Sequence, residues 1–466
     1  MPATVLRTGF SSASTAFRIV GWLVLLTATI ALAVRQYQLV DHYALNIMFS
    51  DQWDLYRPIL YHRSWWALFT FQHGPHRQGV GFLIMPLLAK LSGCNTRWDA
   101  FATSYTMMTA SVVGLFLSYL CGVRQPLALL AVPLMYLTVR EYESFTAASN
   151  LSHGAMPMLI FTTICAAWFI RDHTIRIATT SLLTFGAIFT GFGIFAGVLV
   201  PVVFTIEAIQ AHRQKQSNHA MIAICGIAAC AVSWSIFSIG YVFEPANPTF
   251  HFPYDKPLEY VGFVAIMLSN FYGAANRNPL AVPIGLMLTA SLVAICIYHF
   301  RQMLRYGTLN RRTSVILFLL SVYALIYCFN TAIGRVSMGW KSTPLSSRYV
   351  ILMIPAGMAI YLQLATVKRR LYALALPVFY CLLIAPGALQ LTAVDRRIIH
   401  VLHHDRRIAW ANAYLATHDE MEANRLSNFA VYPLPGHIQD ELDILEANHL
   451  NFFRYATTQP VKNPAH

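Results

Sequence analysis

The chain has 466 residues, 56% of them apolar and only 11% charged, against roughly 25% charged in an ordinary soluble domain. Such a composition excludes a soluble globular protein and requires that most of the surface face lipid. The formal net charge of +13 does not mark a nucleic-acid binder, because the basic residues stand between apolar segments, where membrane topology places them.

Arg7 and Arg18 open the first apolar run, 17–36. No small-residue cleavage site follows it at the expected distance, so it is read as a retained first span rather than a removed signal peptide. Further spans are predicted at 99–121, 126–139, 152–170, 175–190, 192–210, 219–243, 279–300, 314–334, 348–366 and 371–390, about eleven in all. The apolar stretch 79–93 is short and centred on Pro86, and is read as an interfacial helix. The stretch 259–275 is read as a second interfacial or re-entrant piece. With that choice Arg124, Arg171, Arg213, Arg301, Arg305, Arg311, Arg312 and Lys368-Arg369-Arg370 fall on the cytoplasmic side together with the N-terminus.

The expected architecture is therefore all-α: a polytopic helical bundle over 1–390 with a first outer loop at 37–98, and a small soluble helical tail over 391–466. An odd number of spans puts that tail on the periplasmic or extracellular face of the inner (plasma) membrane. The tail holds nine of the twenty acidic residues. Among the earlier acids only Asp172 and Glu207 fall on the cytoplasmic side, so negative charge gathers on the outer face. The eight cysteines form no CxxC pair, and neither a disulfide frame nor a zinc site is expected.

Four outer-face clusters carry residue types suited to chemistry. Asp51 and Asp54 lie at i and i+3, on one face of a predicted helix. A carboxylate at the mouth of a membrane cavity can serve as a general base; the same pair can also simply cap a helix. Next, His73-Gly74-Pro75-His76-Arg77 combines a tight-turn dipeptide with two imidazoles and a guanidinium. Arg77 offers a planar fork for phosphate oxygens, with His76 able to assist, whereas neighbouring Trp65, Trp66 and Phe71 fit an interface anchor equally well. In the third cluster, Arg140-Glu141-Tyr142-Glu143 precedes Asn150 and His153. Here Glu143 is either a second cavity carboxylate or a partner for Arg140 or Arg77. Last, Gly334-Arg335 and Lys341 lead to Ser346-Ser347-Arg348-Tyr349. Arg348 opens a span, as a phosphate ligand or as a snorkelling anchor. In the tail, His400, His403 and His404 are read as solvated surface residues.

Taken together, these features resemble the GT-C superfamily of integral-membrane glycosyltransferases. The likeness rests on an acid soon after the first span (Asp51, with Asp54), an interfacial helix ending Leu-Ser-Gly before Arg97, and a short basic turn at Arg124. His73 to Arg77 looks like a His-x-x-His-Arg element of bacterial members, and Ser347-Arg348-Tyr349 looks like their late Ser-Arg-Tyr element. Glu143 and Asn150 are similar to the acidic-aromatic segment after the third span, although Tyr142-Glu143-Ser144 departs from the usual aromatic-Glu-Asn.

The resemblance implies a polyprenyl-phosphate-linked sugar donor, a lipid or glycan acceptor, and inverting transfer with Asp51 or Asp54 as base. Under it His76, Arg77 and Arg348 hold the donor phosphate, and His73, Glu143, Arg335 and Tyr349 support them. Membrane lipids are the other expected partners, and no nucleic acid is expected. No cofactor is implied. The loop has no DxD triplet, so a divalent metal is not favoured. The alternatives are a transporter or flippase, or a polymerase or ligase, acting on lipid-linked glycans.

Overall fold

A computed structural model describes residues 8–146, 151–245, 247–274, 279–367 and 372–456. Arg7, Asn150 and Lys368-Arg369-Arg370 lie outside the described residues. The chain is 78% helical, and its described strands are a two-residue hairpin.

Helix α1 (Thr8–Tyr43) leads into α2 (Asp51–Leu60), α3 (Trp65–Phe69), the strands β1 (Gln72–His73) and β2 (His76–Arg77), and α4 (Gly81–Ser92). The helix α5 (Arg97–Leu120) follows, then the short α6 (Ala131–Tyr136) and α7 (Tyr142–Thr146), and then α8 (Met156–Ala167) and α9 (His173–Ile188). The rest of the bundle comprises α10 (Ile194–Arg213), α11 (Ser217–Ser238), α12 (Pro257–Phe271), α13 (Ala281–Tyr306), α14 (Arg312–Arg335), α15 (Val350–Ala365) and α16 (Tyr372–Leu389). The tail folds as α17 (Ala393–Arg397), α18 (Arg406–Thr417), α19 (Glu420–Ser427), α20 (Gln439–Ala447) and α21 (Phe453–Ala456).

Among the described residues eight helical stretches, built on α1, α5, α10, α11, α13, α14, α15 and α16, are long and apolar enough to cross a membrane. This is a multi-pass membrane protein. The other three segments expected to span are shorter: 126–136, Leu151–Ala167 and His173–Ile188. The stretch expected to be interfacial or re-entrant near 259–275 is α12, and every residue from Gly262 to Phe271 is buried. Of the two alternatives this burial fits the re-entrant one: beyond its exposed first turn, the apolar surface of α12 is spent on the bundle interior. At Gly285 a side chain would collide with the backbone of Ala265, so glycine lets α13 lie directly against α12, as small residues do in membrane helix pairs.

Among the described residues two large hydrophobic cores result, with a small third cluster at Ile188, Phe189 and Phe237. The larger fills the bundle around Phe161, Phe204, Tyr323, Tyr327 and Tyr361. The second joins the first loop to the tail: Trp53 and Tyr56 of α2 and Phe82 and Met85 of α4 pack with Trp410, Tyr414, Leu442 and Phe452. The tail and the loop therefore form one layer at one end of the bundle. Polar staples fix it there. Buried Arg407 donates to the carbonyls of Thr146 (2.7 Å) and Ile47. Asn451 donates to the carbonyl of Cys94 (2.6 Å) and to Asn46 Oδ1 (2.9 Å).

Candidate functional site

The four predicted clusters meet where the loop–tail layer sits on the bundle. Asp51 occupies the first position of α2, whose N-terminal dipole favours a negative charge. The preceding Ser50 has φ 51° and turns the chain sharply into the helix. Asp51 Oδ2 lies 3.7 Å from Arg348 Nη1, with the two side chains 37% and 36% exposed. Both groups are thus surrounded by protein yet open on one side. One turn along the same face, Asp54 accepts a 2.8 Å hydrogen bond from the Tyr432 hydroxyl and lies 3.9 Å from both Arg57 and His73.

Glu143 explains how Arg348 is held. Its Oε2 accepts from the Ser346 hydroxyl (2.7 Å), the Ser347 hydroxyl (3.1 Å) and the Arg348 N–H (3.3 Å). The Glu143 N–H donates back to Ser347 Oγ at 3.0 Å. One carboxylate therefore clamps the turn that opens α15, and its charge faces Arg348. The expected pairing of Glu143 with Arg140 or Arg77 is corrected, since Arg140 donates instead to the Asn270 carbonyl (2.6 Å) and to Asn270 Oδ1 (2.7 Å).

The electrostatics follow from this arrangement. Burial alone would push the Asp51 carboxyl up, but Arg348 leads His73, His153 and the Ser50 hydroxyl in outweighing it and holding the group below its ordinary value. Glu143 behaves alike: burial raises it, and Arg348, Ser346, His403 and Ser347 bring it below the usual range. Arg335 ends α14 beside this centre, its guanidinium 5.9 Å from the centre of the Tyr349 ring. Among the described residues Arg335 has no carboxylate partner. Tyr349 itself is buried.

The histidine hairpin turns at Gly74 (φ +56°) and pairs His73 with His76. The His73 and His76 rings lie 5.8 and 6.2 Å from the His153 ring. Gln78 Nε2 is 2.7 Å from His153 Nε2. Gly191 allows this approach, because a side chain there would meet the His153 backbone at 2.8 Å. Burial, with the charges of His153, Arg335 and His73 adding, pushes His76 down to about 3. It is therefore a neutral ring that can supply a hydrogen bond but no charge. Among the described residues no three such side chains converge as metal ligands.

Arg77 is a second correction. It is buried and donates to the carbonyls of Phe237 (2.9 Å), Thr70 and Ile239. It also lies 5.6 Å from the centre of the Phe237 ring. The guanidinium ties the hairpin to the end of α11 and is not offered as a phosphate fork. Arg77→Met should cost about 1–3 kcal/mol, because buried carbonyls lose their donor. A lower melting temperature with unchanged affinity for a phosphate-bearing lipid is the expected result. Lost affinity at an unchanged melting temperature would restore the phosphate role.

The tail histidines also differ from expectation. His403 and His404 are buried rather than solvated. His403 Nδ1 is 3.0 Å from the Thr146 hydroxyl, and burial pushes the ring down to about 4. It sits in a π-helical stretch, Ile398–Asp405, a geometry common at functional sites. His403 and Tyr432 thus join the centre without having been singled out as site residues in the sequence, and His153 and Ser346, named there within the clusters but given no role, join it as well. The centre offers a partly open carboxylate beside a clamped arginine, with a second arginine nearby that has no carboxylate partner among the described residues. Such a set can take a proton from a hydroxyl and hold a phosphate. No protein-family model, curated protein or solved structure matches this chain.

Proposed function

We propose that the chain is an inverting membrane glycosyltransferase that takes a sugar from a polyprenyl-phosphate donor at the outer face of the plasma membrane. The observation that carries this reading is the facing pair of Asp51 and Arg348, 3.7 Å apart and each about a third exposed. In this topology eleven crossings comprise the eight long helices and the three shorter segments, with the N-terminus in the cytoplasm and the tail outside. The basic ends of α13 and α14 at Arg301, Arg305, Arg311 and Arg312, away from the loop–tail layer, support that sidedness.

The donor phosphate would take the Arg348 fork, with Arg335 as the second cation in place of Arg77. Arg348 would then be drawn from Asp51, leaving that carboxylate free and more basic. Asp51 accepts the proton of the acceptor hydroxyl, and the hydroxyl oxygen attacks the anomeric carbon. The bond from that carbon to the phosphate oxygen breaks, and its electron pair leaves on polyprenyl phosphate. Charge growing on that oxygen is where a fixed cation stabilises most. Glu143 acts by positioning, since it holds the Ser346–Ser347–Arg348 turn.

The test offers radiolabelled polyprenyl-phosphate sugars to the protein in liposomes and scores release of polyprenyl phosphate. Release from at least one donor, by transfer or slow hydrolysis, is expected. Movement of intact donors between leaflets without cleavage would instead identify a transporter.

A further inference from the structure

Helix α14 ends at Arg335 in the centre described above and begins about 36 Å away, at 1.5 Å per residue. At that far end lies a cavity of about 580 Å³, between the last turns of α13 and α15 and the first turn of α14. Its wall carries Arg311, Arg312, Asn310, Gln302 and Ser314, and no carboxylate among the described residues. Arg312 donates to the Phe169 carbonyl at 2.8 Å, while Arg311 is exposed and pairs with no acid among the described residues. The first N–H groups of a helix have no partners within it, and α14 has no side-chain cap.

One buried group on the wall is incomplete. His299 is 7% exposed. Its Nε2 meets Gln363 Oε1 at 2.7 Å, which leaves Nδ1 as a buried acceptor without a donor. That nitrogen has no accessible surface, so what the cavity itself offers a ligand is the Arg311 and Arg312 guanidinium groups, which call for negative charge. The rim is apolar: Tyr298 is 54% exposed and Leu309 39%. Exposed side chains of that kind at a helix end meet lipid, so the mouth suits a ligand with hydrocarbon tails.

We propose that this cavity binds the head group of an anionic phospholipid of the cytoplasmic leaflet, its phosphate on Arg311 and the first turn of α14. The side follows from the basic residues at this end. The site is separate from the outer centre and stands whether or not the chain transfers sugars.

Native mass spectrometry of the full-length protein in detergent micelles tests this, with dioleoylphosphatidylglycerol and dioleoylphosphatidylcholine titrated in turn. The phosphatidylglycerol should be retained in preference, and millimolar inorganic phosphate should not displace it. Arg311→Gln should weaken retention about fivefold, as expected for one cation at a membrane surface. Asn310→Asp, which brings a carboxylate into the cavity, should weaken it at least as much. Both positions are exposed, so folding is not at stake. Equal retention of the two lipids, or retention unaffected by either substitution, would overturn the proposal. Displacement by inorganic phosphate would also overturn it and assign the cavity to a soluble phosphate.

Discussion

Arg348→Gln is expected to weaken donor binding about 30-fold or more and to move the acid limb of the pH–rate profile upward. Removing one partner from a hydrogen-bonded charge pair costs about 2 kcal/mol or more, which is roughly 30-fold in affinity. The direction of the pH effect follows from which group is charged. Burial pushes Asp51 up, and Arg348 is the largest influence bringing it below its ordinary value. A general base works only when ionised, so the native protein should stay active into mildly acidic pH and fall off as pH drops through the depressed value. Without Arg348 that value rises, and the fall begins at higher pH. The profile is to be read on kcat/KM, which reports the free protein. Arg348→Lys keeps a charge but loses the planar fork, and should recover part of the pH behaviour and less of the affinity. Unchanged donor affinity with an unmoved acid limb would make Arg348 a membrane anchor.

Asp51→Asn should lower kcat by about 10²–10⁴, the usual contribution of a general base. Donor binding should be retained or tightened, because Arg348 loses a competing carboxylate. Asp54→Asn provides the contrast. Asp54 spends one oxygen on the Tyr432 hydroxyl at 2.8 Å, so its loss should loosen the contact between α2 and the tail and change kcat by less than about tenfold. Measuring kcat and donor affinity for both variants separates the roles. Native turnover in Asp51→Asn, with a dead Asp54→Asn, would move the base to Asp54.

Short-range pattern carried much of this. The i, i+3 spacing places Asp51 and Asp54 on one helix face, and both do face the centre. The position of Arg348 at the start of an apolar run, beside two serines, put it at the layer end of the bundle. What escaped depends on partners distant in sequence. The carbonyls of Phe237 and Ile239 that occupy Arg77 have no side-chain signature, and the backbone of any residue could have played that part. His403 reaches Thr146 across 257 positions, so nothing near it in sequence distinguishes it from a solvated histidine. The stretch near 259–275 was ambiguous for a physical reason: a short apolar run fits a buried core helix as well as an interfacial one. Only neighbours decide, and those of α12 enclose it from Gly262 to Phe271. The shared core of loop and tail likewise depends on Trp53 joining one cluster with Trp410 and Tyr414, far away along the chain.

The most direct test of the outer centre needs no knowledge of the acceptor. A polyprenyl-phosphate sugar carrying a photoactivatable group on its first isoprene unit is added to the protein in liposomes, irradiated, and mapped by peptide mass spectrometry. Labelling within 346–349 or 49–54, suppressed by unlabelled donor and reduced in Arg348→Gln, is the expected result. Labelling confined to the opposite end of the bundle, or unaffected by unlabelled donor, would contradict the assignment of Asp51 and Arg348 as the reaction centre.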